Sequence, residues 1–547
     1  MCGIYGITDK DPNFIQQYID TCTHRGPDGS KIKTIQGITL GHNLLSIMAD
    51  PAMSTQPWDT PAGNTLIYNG EIFNYHELKE KYNNEFTDTT GCDTELLAWG
   101  LDKYGLDFLD EIDSMHGFAY YKHKEAQLII SRDHVGIKPL YYAEIESGIV
   151  FGSELKGLLD KVPGSRKLDR LAASLQSRAG CNPSRNTLFS NIKQLLPGET
   201  LVYSVPDRKF IDSKRIYIVP HGNKTFQPKE FRQQVSNAVK RCAIGQKINT
   251  FTNRMYPEVP GPEDYNSDAN AAKVLADREG YTHHEVLITP KEYMSAWEQS
   301  INFMEQTNFN PSMAMYFHTN KFMADKGIVV TMAGDMGDEL LGGYPKYQKM
   351  FFGKHPTSWR ELLTMWLGRI KRPKRITQNI MPDEQLLDEL EKCFSDKLWN
   401  PEDPVGSYMA LDCVTQCPAE FFSRNDTYGM AHSMEGRFPL ASKKFMQYCL
   451  DIHTRYKLTG SETKIISRTA YTGILPKEII NKTKTGWTVP VGFWLTEKMD
   501  KDLELFYTKS LGREGLNIVT TSQKSAKMLI PDLIYKDWQK TYRVQDA

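Results

Sequence analysis

The chain has 547 residues, of which 40% are hydrophobic and 24% are charged, and its 66 basic and 67 acidic residues give a net charge of -1. This length predicts two to four domains, and the composition excludes a disordered or fibrous protein. The near-zero charge gives no general attraction to nucleic acid or to anionic membranes, so we expect neither as a partner.

Nine cysteines are scattered along the chain without a CxxC pair, which predicts a reducing compartment. Cys413 and Cys417 could share one helix face, but two buried thiols are a better interpretation than a metal site. The N-terminus has no basic segment followed by an apolar one, and no run of about 18 apolar residues occurs. We therefore expect a cytoplasmic protein.

Short strand-like runs separated by turns dominate the chain up to about residue 215. They include QLIISRD at 127–133, PLYYAEI at 139–145, GIVFGSE at 148–154 and ETLVYSV at 199–205. From Pro228 onward helical patterns take over, and SMAMYFHTNKFMADKG runs directly into the apolar stretch IVVTMAG. A helix followed by a buried strand favours a parallel sheet. The polar stretch from Val219 to Lys229 predicts a linker between two domains.

Cys2 is the first candidate catalytic residue, because removal of Met1 would place its thiol beside a free α-amine. That amine, with a pKa of about 8, can act as the base that activates the thiol. Four motifs follow in order: HRGPDG at 24–29, YNGEIFNY at 68–75, GCDTE at 91–95 and RDHVGIKPLYY at 132–142. Taken alone, the Asn-Gly pair of the second motif would equally favour a hairpin turn.

Together with MCGI at the N-terminus, these motifs resemble the class II glutamine amidotransferase family over roughly residues 2–200. The resemblance implies a glutaminase domain at 2–215 with the αββα sandwich of an N-terminal-nucleophile (Ntn) hydrolase. It also implies that Cys2 attacks the side-chain amide of glutamine. Asn69 and the backbone N–H of Gly70 would then form the oxyanion hole, since two fixed donors can stabilise a tetrahedral oxyanion.

The same resemblance implies that Glu71 and Asp93 hold the α-amine of glutamine. One position departs from the family, whose segment before the NGE motif usually reads HxRLSI, with the arginine binding the α-carboxylate of glutamine. Here the segment is HNLLSI at 42–47, and Leu44 cannot make the bidentate pair that a guanidinium makes with a carboxylate. We therefore expect weak glutamine binding unless another cation takes over, and the sequence does not name that cation.

The second half contains MAGDMGDELLGGYPKY at 332–347, directly after the apolar run. This places Gly334, Asp335, Asp338 and Glu339 at the C-terminal end of a predicted parallel strand, where α/β sheets usually bind ligands. Acidic residues there can hold Mg²⁺, which uses one or two carboxylates together with phosphate oxygens. By itself, an acidic loop is as often a solvated turn.

MAGDMGDELLGGY resembles the signature SGxGxDExxGGY of the asparagine synthetase family. Further similar segments are DANAAKVLADREGYTHHEV at 268–286, MEGRFPL at 434–440 and KTKTGWTVPVGFW at 482–494. The resemblance implies a parallel α/β domain of the ATP-pyrophosphatase type at 228–547. It implies that Asp335 faces the substrate, that Asp338 binds magnesium, and that Gly334 and Lys484 bind ATP or the adenylated intermediate.

Two histidines, His283 and His284, precede a predicted strand in the first of these segments, and a structural role is the better interpretation of both. The sequence alone gives them no partner. We therefore do not expect them to be ligands.

Members of this family bind ATP through an SGGxDS loop after the first strand of the domain, and no such string occurs here. FRQQVSNAVKRCAIGQ runs directly into KINTFTNRM, which resembles the next strand of the family, so a strand, loop and helix of on the order of thirty residues are absent. This predicts poor ATP binding and unpaired neighbouring strands. Loss in a degenerate copy, supply by another polypeptide, and absence from this version of the sequence all stay open.

Three functions follow from these observations. The first is a ligase that hydrolyses glutamine at Cys2 and passes ammonia internally to an adenylated aspartate, which gives asparagine. ATP and Mg²⁺ are its cofactors by resemblance, and aspartate is its acceptor by resemblance alone. The second is a glutaminase whose synthetase half does not work, and the third is a non-catalytic binding or regulatory protein. A homodimer stays open.

Overall fold

The computed structural model describes residues 2–47, 50–243, 248–256, 265–306, 310–369, 380–482, 489–496 and 523–545. The described chain is mainly β-structure up to residue 215 and mainly helical from Pro228 onward. The predicted change from strand-like to helix-like patterns is confirmed. The intervening linker segment has no helix or strand among its described residues before Pro228.

The first part is built from two antiparallel sheets with the strand orders β10-β8-β9-β1-β3-β2 and β12-β11-β7-β6-β5-β4. All four strand-like runs named above lie in strands of these sheets. The strands are β1 (Gly3–Ile7), β2 (Gly29–Ile35), β3 (Ile38–Leu44), β4 (Trp58–Asp59), β5 (Thr65–Ile72), β6 (Ser114–Lys122), β7 (Gln127–Arg132), β8 (Tyr141–Ile145), β9 (Gly148–Gly152), β10 (Lys193–Gln194), β11 (Glu199–Ser204) and β12 (Lys209–Arg215).

These two sheets pack face to face, because alternating side chains give each an apolar inner face. Ile4 and Leu40 of the first sheet share one buried core with Ile67 and Ile130 of the second. Helices cover both outer faces, which gives four layers. The helices of this part are α1 (Pro12–Thr21), α2 (Pro51–Ser54), α3 (Tyr75–Lys81), α4 (Asp93–Tyr104), α5 (Phe108–Glu111) and α6 (Arg170–Ala179).

The second part consists mostly of helices, several of which begin at a side chain that caps the first turn. Asp403 accepts a hydrogen bond from the N–H of Gly406 at 3.0 Å, which satisfies a donor that the helix leaves unpaired. The helices are α7 (Pro228–Cys242), α8 (Ser267–Glu279), α9 (Pro290–Phe303), α10 (Met313–Ala324), α11 (Gly337–Leu341), α12 (Pro345–Phe352), α13 (Trp359–Leu367), α14 (Asp383–Cys393), α15 (Pro404–Val414), α16 (Ser423–Met430), α17 (Lys443–Asp451), α18 (Ile465–Tyr471), α19 (Lys477–Ile480), α20 (Val491–Thr496) and α21 (Gln523–Tyr542).

Cys413 and Cys417 are buried free thiols in this part. Within the described ranges, no group of three or more His, Cys, Asp or Glu side chains is arranged to hold a metal ion. None of the described helices is both long and apolar enough to cross a bilayer.

Four strands of the second part form two separate parallel pairs, as the helix-then-strand pattern predicts. They are β13 (Asn249–Met255) with β14 (Thr282–Ile288), and β15 (Val330–Met332) with β16 (Glu435–Arg437). Neither pair has a third strand among the described residues. Parallel sheets are normally covered on both faces, yet Leu287 is 50% exposed and Met332 is 44% exposed.

The position predicted for His283 and His284 is wrong in one respect, because both lie inside β14 rather than before it. The parallel register with β13 extends back to the pair Asn249 and Thr282, so the strand begins one residue earlier than His283. His283 Nδ1 lies 2.8 Å from Thr250 Oγ1. His284 stacks on Phe251 with a centroid distance of 4.8 Å.

A buried cluster of charges joins the two parts, and it includes two residues of the HRGPDG motif. Arg25 Nη1 lies 3.1 Å from Glu154 Oε1 and 2.9 Å from Asp426 Oδ2 of α16. His24 Nε2 and Lys156 Nζ also approach Glu154, at 2.8 Å and 2.7 Å. Burying charges is costly unless each has an opposite partner, so this cluster fixes how the two parts meet.

We expect Asp426→Asn to lower the free energy of unfolding by roughly 2 to 4 kcal/mol, because it removes one countercharge from the buried Arg25. A urea titration followed by circular dichroism measures this change. Glu85→Gln is the control, since its pair with Lys103 is exposed and should contribute less than about 1 kcal/mol. Equal losses in the two variants would contradict the role of the buried cluster.

Candidate active sites

Cys2 stands directly before β1 and is 8% exposed. Its backbone N–H donates to Asn69 Oδ1 at 3.0 Å. Asn69 Nδ2 is buried and, within the described part of the chain, has no hydrogen-bond acceptor. This leaves one amide group beside Cys2 that can donate to a developing negative charge.

The NGE motif lies within strand β5, so the hairpin-turn alternative is wrong for this chain. β5 pairs with β6 along its length, with Asn69 opposite Gly117 and Gly70 opposite His116. A Cβ at Gly70 would come 2.3 Å from the carbonyl oxygen of Met115. The position therefore requires glycine, and its backbone is fixed by the strand.

Asp93 and Glu71 come together beside the nucleophile. Asp93 begins α4, and its Oδ2 accepts hydrogen bonds from the N–H of Ile72 at 2.9 Å and from the hydroxyl of Tyr68 at 3.0 Å. Burial raises the pKa of Asp93, while these hydrogen bonds oppose the rise. Burial and the charge of Asp93 raise the pKa of Glu71 to about 8. Two acidic groups in one buried pocket suit a cationic ligand.

The pocket at Cys2 has a volume of about 50 Å³ and is lined in part by Leu44, Glu71, Asp93 and Glu435. Leu44 is 5% exposed at the end of β3, so the position expected to carry an arginine faces this pocket with an apolar side chain. Of the described residues that line it, three are carboxylates and none is a lysine, arginine or histidine.

Glu435 and Arg437 bring the second part of the chain into this site, and the sequence assigned neither a role. They lie two residues apart on β16, so both side chains point to the same face. Arg437 Nη2 lies 3.0 Å from Glu71 Oε2, and Arg437 Nε lies 2.5 Å from Glu435 Oε1. The MEGRFPL motif was the signal that could have identified them, but only the fold shows their contact with residue 71.

The second site lies immediately after β15, as the sequence predicts. A Cβ at Gly334 would meet nothing within 4 Å, so the backbone is open there. Burial raises the pKa of the neighbouring Asp335, and Arg424 opposes the rise. Burial also raises the pKa of Glu339 to about 7. Glu339 is buried in α11, while Asp335 and Asp338 are partly exposed.

Lys464 completes this second cluster, although the sequence gave no signal for it. Its Nζ lies 2.6 Å from Asp338 Oδ1, at the start of α11. A second lysine pair joins two of the family-like segments, because Lys482 Nζ lies 2.5 Å from Asp268 Oδ1. Lys484, the predicted ATP-binding lysine, lies outside the described residues.

Comparison with known families identifies both halves. The model of the glutamine amidotransferase domain matches residues 1–215, and the model of asparagine synthase matches residues 230–526, more than half of the chain. The chain belongs to the asparagine synthase family.

Individual members of the family are distant in sequence but align along most of the chain. Asparagine synthetase [glutamine-hydrolyzing] 1 of Bacillus subtilis strain 168 is 23% identical over 574 residues, which covers 92% of this chain and 89% of that protein. Asparagine synthetase B [glutamine-hydrolyzing] of Escherichia coli strain K12 is 25% identical over 90% of this chain and 83% of its own length. The first alignment is longer than the 547 residues of this chain, so that relative has residues without a counterpart here.

Among solved structures, glutamine phosphoribosylpyrophosphate amidotransferase of B. subtilis, solved with ADP and GMP, matches with a TM-score of 0.30 and 15% identity. The match covers 52% of this chain and 65% of that one.

If Glu71 holds the α-amine of glutamine, as the family resemblance implies, we expect glutamine binding to strengthen as pH rises through about 8, because only the ionised carboxylate attracts the cation and that carboxyl is protonated below its raised pKa. The KM for glutamine, measured between about pH 6.5 and 9, should fall with pH. Glu71→Gln should remove this pH dependence, whereas Glu80→Gln, at an exposed carboxylate outside the site, should leave it unchanged. A pH profile that is the same in Glu71→Gln and the wild type would contradict the assignment.

Proposed function

We propose that this chain catalyses glutamine-dependent asparagine synthesis, with ammonia released at Cys2 and used in the second domain. Two observations together support this proposal. Both halves match their families, and one pair of strands links the two candidate sites. β16 supplies Glu435 to the Cys2 pocket, while its partner β15 leads directly into Gly334 and Asp335.

At the first site, the thiol of Cys2 attacks the side-chain amide carbon of glutamine and the α-amine takes its proton. Burial raises the pKa of the Cys2 thiol, so the base is needed to form the thiolate. Asn69 Nδ2 and the N–H of Gly70 stabilise the oxyanion, ammonia leaves, and water releases glutamate from the thioester. The four-layer αββα packing supports placing this half among the Ntn hydrolases.

Ammonia reaches the second site through the interface between the two domains. The N–H of Ala333 donates to the carbonyl oxygen of Arg437 at 3.1 Å, so the acidic segment at 334–339 is anchored to the same strand that closes the Cys2 pocket. The two candidate sites are thus joined by two adjacent strands. This arrangement supports the transfer of ammonia from one site to the other inside the protein.

At the second site, Asp338 is the carboxylate that would hold Mg²⁺ together with phosphate oxygens, Asp335 would face the substrate, and Lys464 adds the positive charge that phosphate requires. ATP would supply the leaving group that makes the side-chain carboxyl of aspartate reactive towards ammonia. Gly334 and Lys484 remain the proposed contacts to ATP or to the activated acid. A phosphate-binding SGGxDS loop is absent from the sequence.

We further propose that the missing unit is a strand, loop and helix that belongs between α7 and β13 in the chain, and that its strand would lie between the two parallel pairs in the sheet. Two separate parallel pairs with exposed apolar residues are what removal of one central strand from a parallel sheet would leave. The family match on both sides of residues 245–247, and the length of the B. subtilis alignment, also support this proposal.

Cys2 should react with a glutamine-mimicking diazo-ketone, because it is the nucleophile of the first site. Mass spectrometry of the labelled protein measures the modified residue and shows whether Met1 has been removed. Cys92→Ala is the matched control, since this thiol lines the same pocket and should not be needed for labelling. Labelling that survives Cys2→Ala, or a mature protein that retains Met1, would rule out this role.

We expect little or no aspartate-dependent pyrophosphate release from this chain, even when free ammonia replaces glutamine, because the phosphate-binding loop is absent. Ammonia bypasses the first site, so the assay reports on the second alone. Inserting a family-like strand, SGGxDS loop and helix between Gly245 and Lys247 should restore release, and Asp338→Asn in the restored protein should abolish it.

Robust pyrophosphate release by the unmodified chain that falls on Asp338→Asn would contradict the importance of the loop. Failure of the insertion to restore release would instead favour the glutaminase or the binding protein over the ligase. An insertion that carries SAAxAS in place of SGGxDS is the control, because it can complete the sheet without the phosphate-binding sequence.

A further inference from the structure

A cavity of about 300 Å³ adjoins the Cys2 pocket and extends towards the C-terminal end of α7. Glu71 and Asp93 line both spaces, so the cavity and the pocket meet at these two carboxylates. The cavity is also lined by three cations of the second domain, Lys240, Arg241 and Arg437. The residues implied to hold the α-amine of glutamine thus stand between the nucleophile and a group of positive charges.

The Cys2 pocket offers no positive side chain to the α-carboxylate of glutamine. Its lining carries Glu71, Asp93 and Glu435 without a described cation, so a carboxylate placed there would meet only like charges. The α-carboxylate must therefore lie elsewhere.

The three cations of the adjoining cavity differ in whether they already form ion pairs with carboxylates of the protein. Arg241 Nη2 lies 2.5 Å from Glu77 Oε1. Arg437 already faces two carboxylates, because its Nη2 lies 3.0 Å from Glu71 Oε2 and its Nε lies 2.5 Å from Glu435 Oε1. Lys240 is exposed, and among the described residues it has no ion pair. Lys240 is consequently the cation with a full charge to offer, and Arg437 adds a positive charge that its two partners partly balance.

We propose that the α-carboxylate of glutamine binds in this cavity, where Lys240 and Arg437 take the place of the arginine that position 44 lacks. The inference rests on the proposed glutaminase function and names the residues that complete its substrate site. The amide then reaches Cys2, the α-amine lies between Glu71 and Asp93, and the carboxylate contacts the synthetase domain. Glutamine binding thereby requires both domains.

Lys240→Ala should raise the KM for glutamine about twofold to fivefold with little change in kcat, because one partly exposed ion pair to the substrate is lost. Lys229→Ala, at an exposed lysine in the first turn of the same helix, is the matched control and should leave KM unchanged. Ammonia release is measured with glutamine and with its α-methyl ester, which carries no carboxylate charge. The KM for the ester should be the same in Lys240→Ala and the wild type.

Leu44→Arg provides the reciprocal test, since it returns a guanidinium to the Cys2 pocket. It should lower the KM for glutamine in the wild type and lower it by a larger factor in the Lys240→Ala background. An unchanged KM in Lys240→Ala, or an equal rise for glutamine and the ester, would overturn this inference alone. Absence of any ammonia release from glutamine by the wild type would overturn the proposed glutaminase function as well.

Discussion

The structure depends on one buried guanidinium, that of Arg437, which connects three parts of the molecule. It lies against Glu71 of the glutaminase site and Glu435 of its own strand, and it donates to the carbonyl oxygen of Cys242 at the end of α7 at 3.3 Å. A buried charge needs its partners in place. The positions of β5, β16 and α7 are therefore coupled, and Glu71, the acid proposed to bind glutamine in one domain, depends on a side chain of the other.

The short strands on either side of this contact mark the region where we propose that the second domain lacks a unit. β15 and β16 pair over only three residues, Val330–Met332 against Glu435–Arg437, and β13 and β14 form a separate pair. In a parallel sheet, the backbone edges and apolar faces are normally covered by a neighbouring strand or helix. Loss of the proposed unit would affect the fold and the phosphate site together, because one strand and its loop serve both.

Local sequence patterns predicted much of the architecture on both sides of residue 215, where the apolar residues change from a two-residue to a helical periodicity. The strand runs, the helix before IVVTMAG and the parallel pairing follow from local side-chain preferences and apolar patterning. The positions of His283 and His284 were misjudged because the start of a parallel strand is set by its partner's register, here Asn249 opposite Thr282. The NGE motif was ambiguous for the same reason: whether Asn-Gly turns or extends depends on pairing with β6, which is distant in sequence.

The sequence by itself determined the two families, the candidate nucleophile Cys2, the acidic segment after β15, and the two departures at Leu44 and at the SGGxDS string, because each is a local string. Only the tertiary structure decided which charges meet, since the contact of Glu71 with Arg437 across the domain interface and that of Asp338 with Lys464 within the second domain join residues more than a hundred positions apart. No local pattern carries that information. Such pairs form only after folding has brought their strands and helices together and has removed the water that would otherwise screen them.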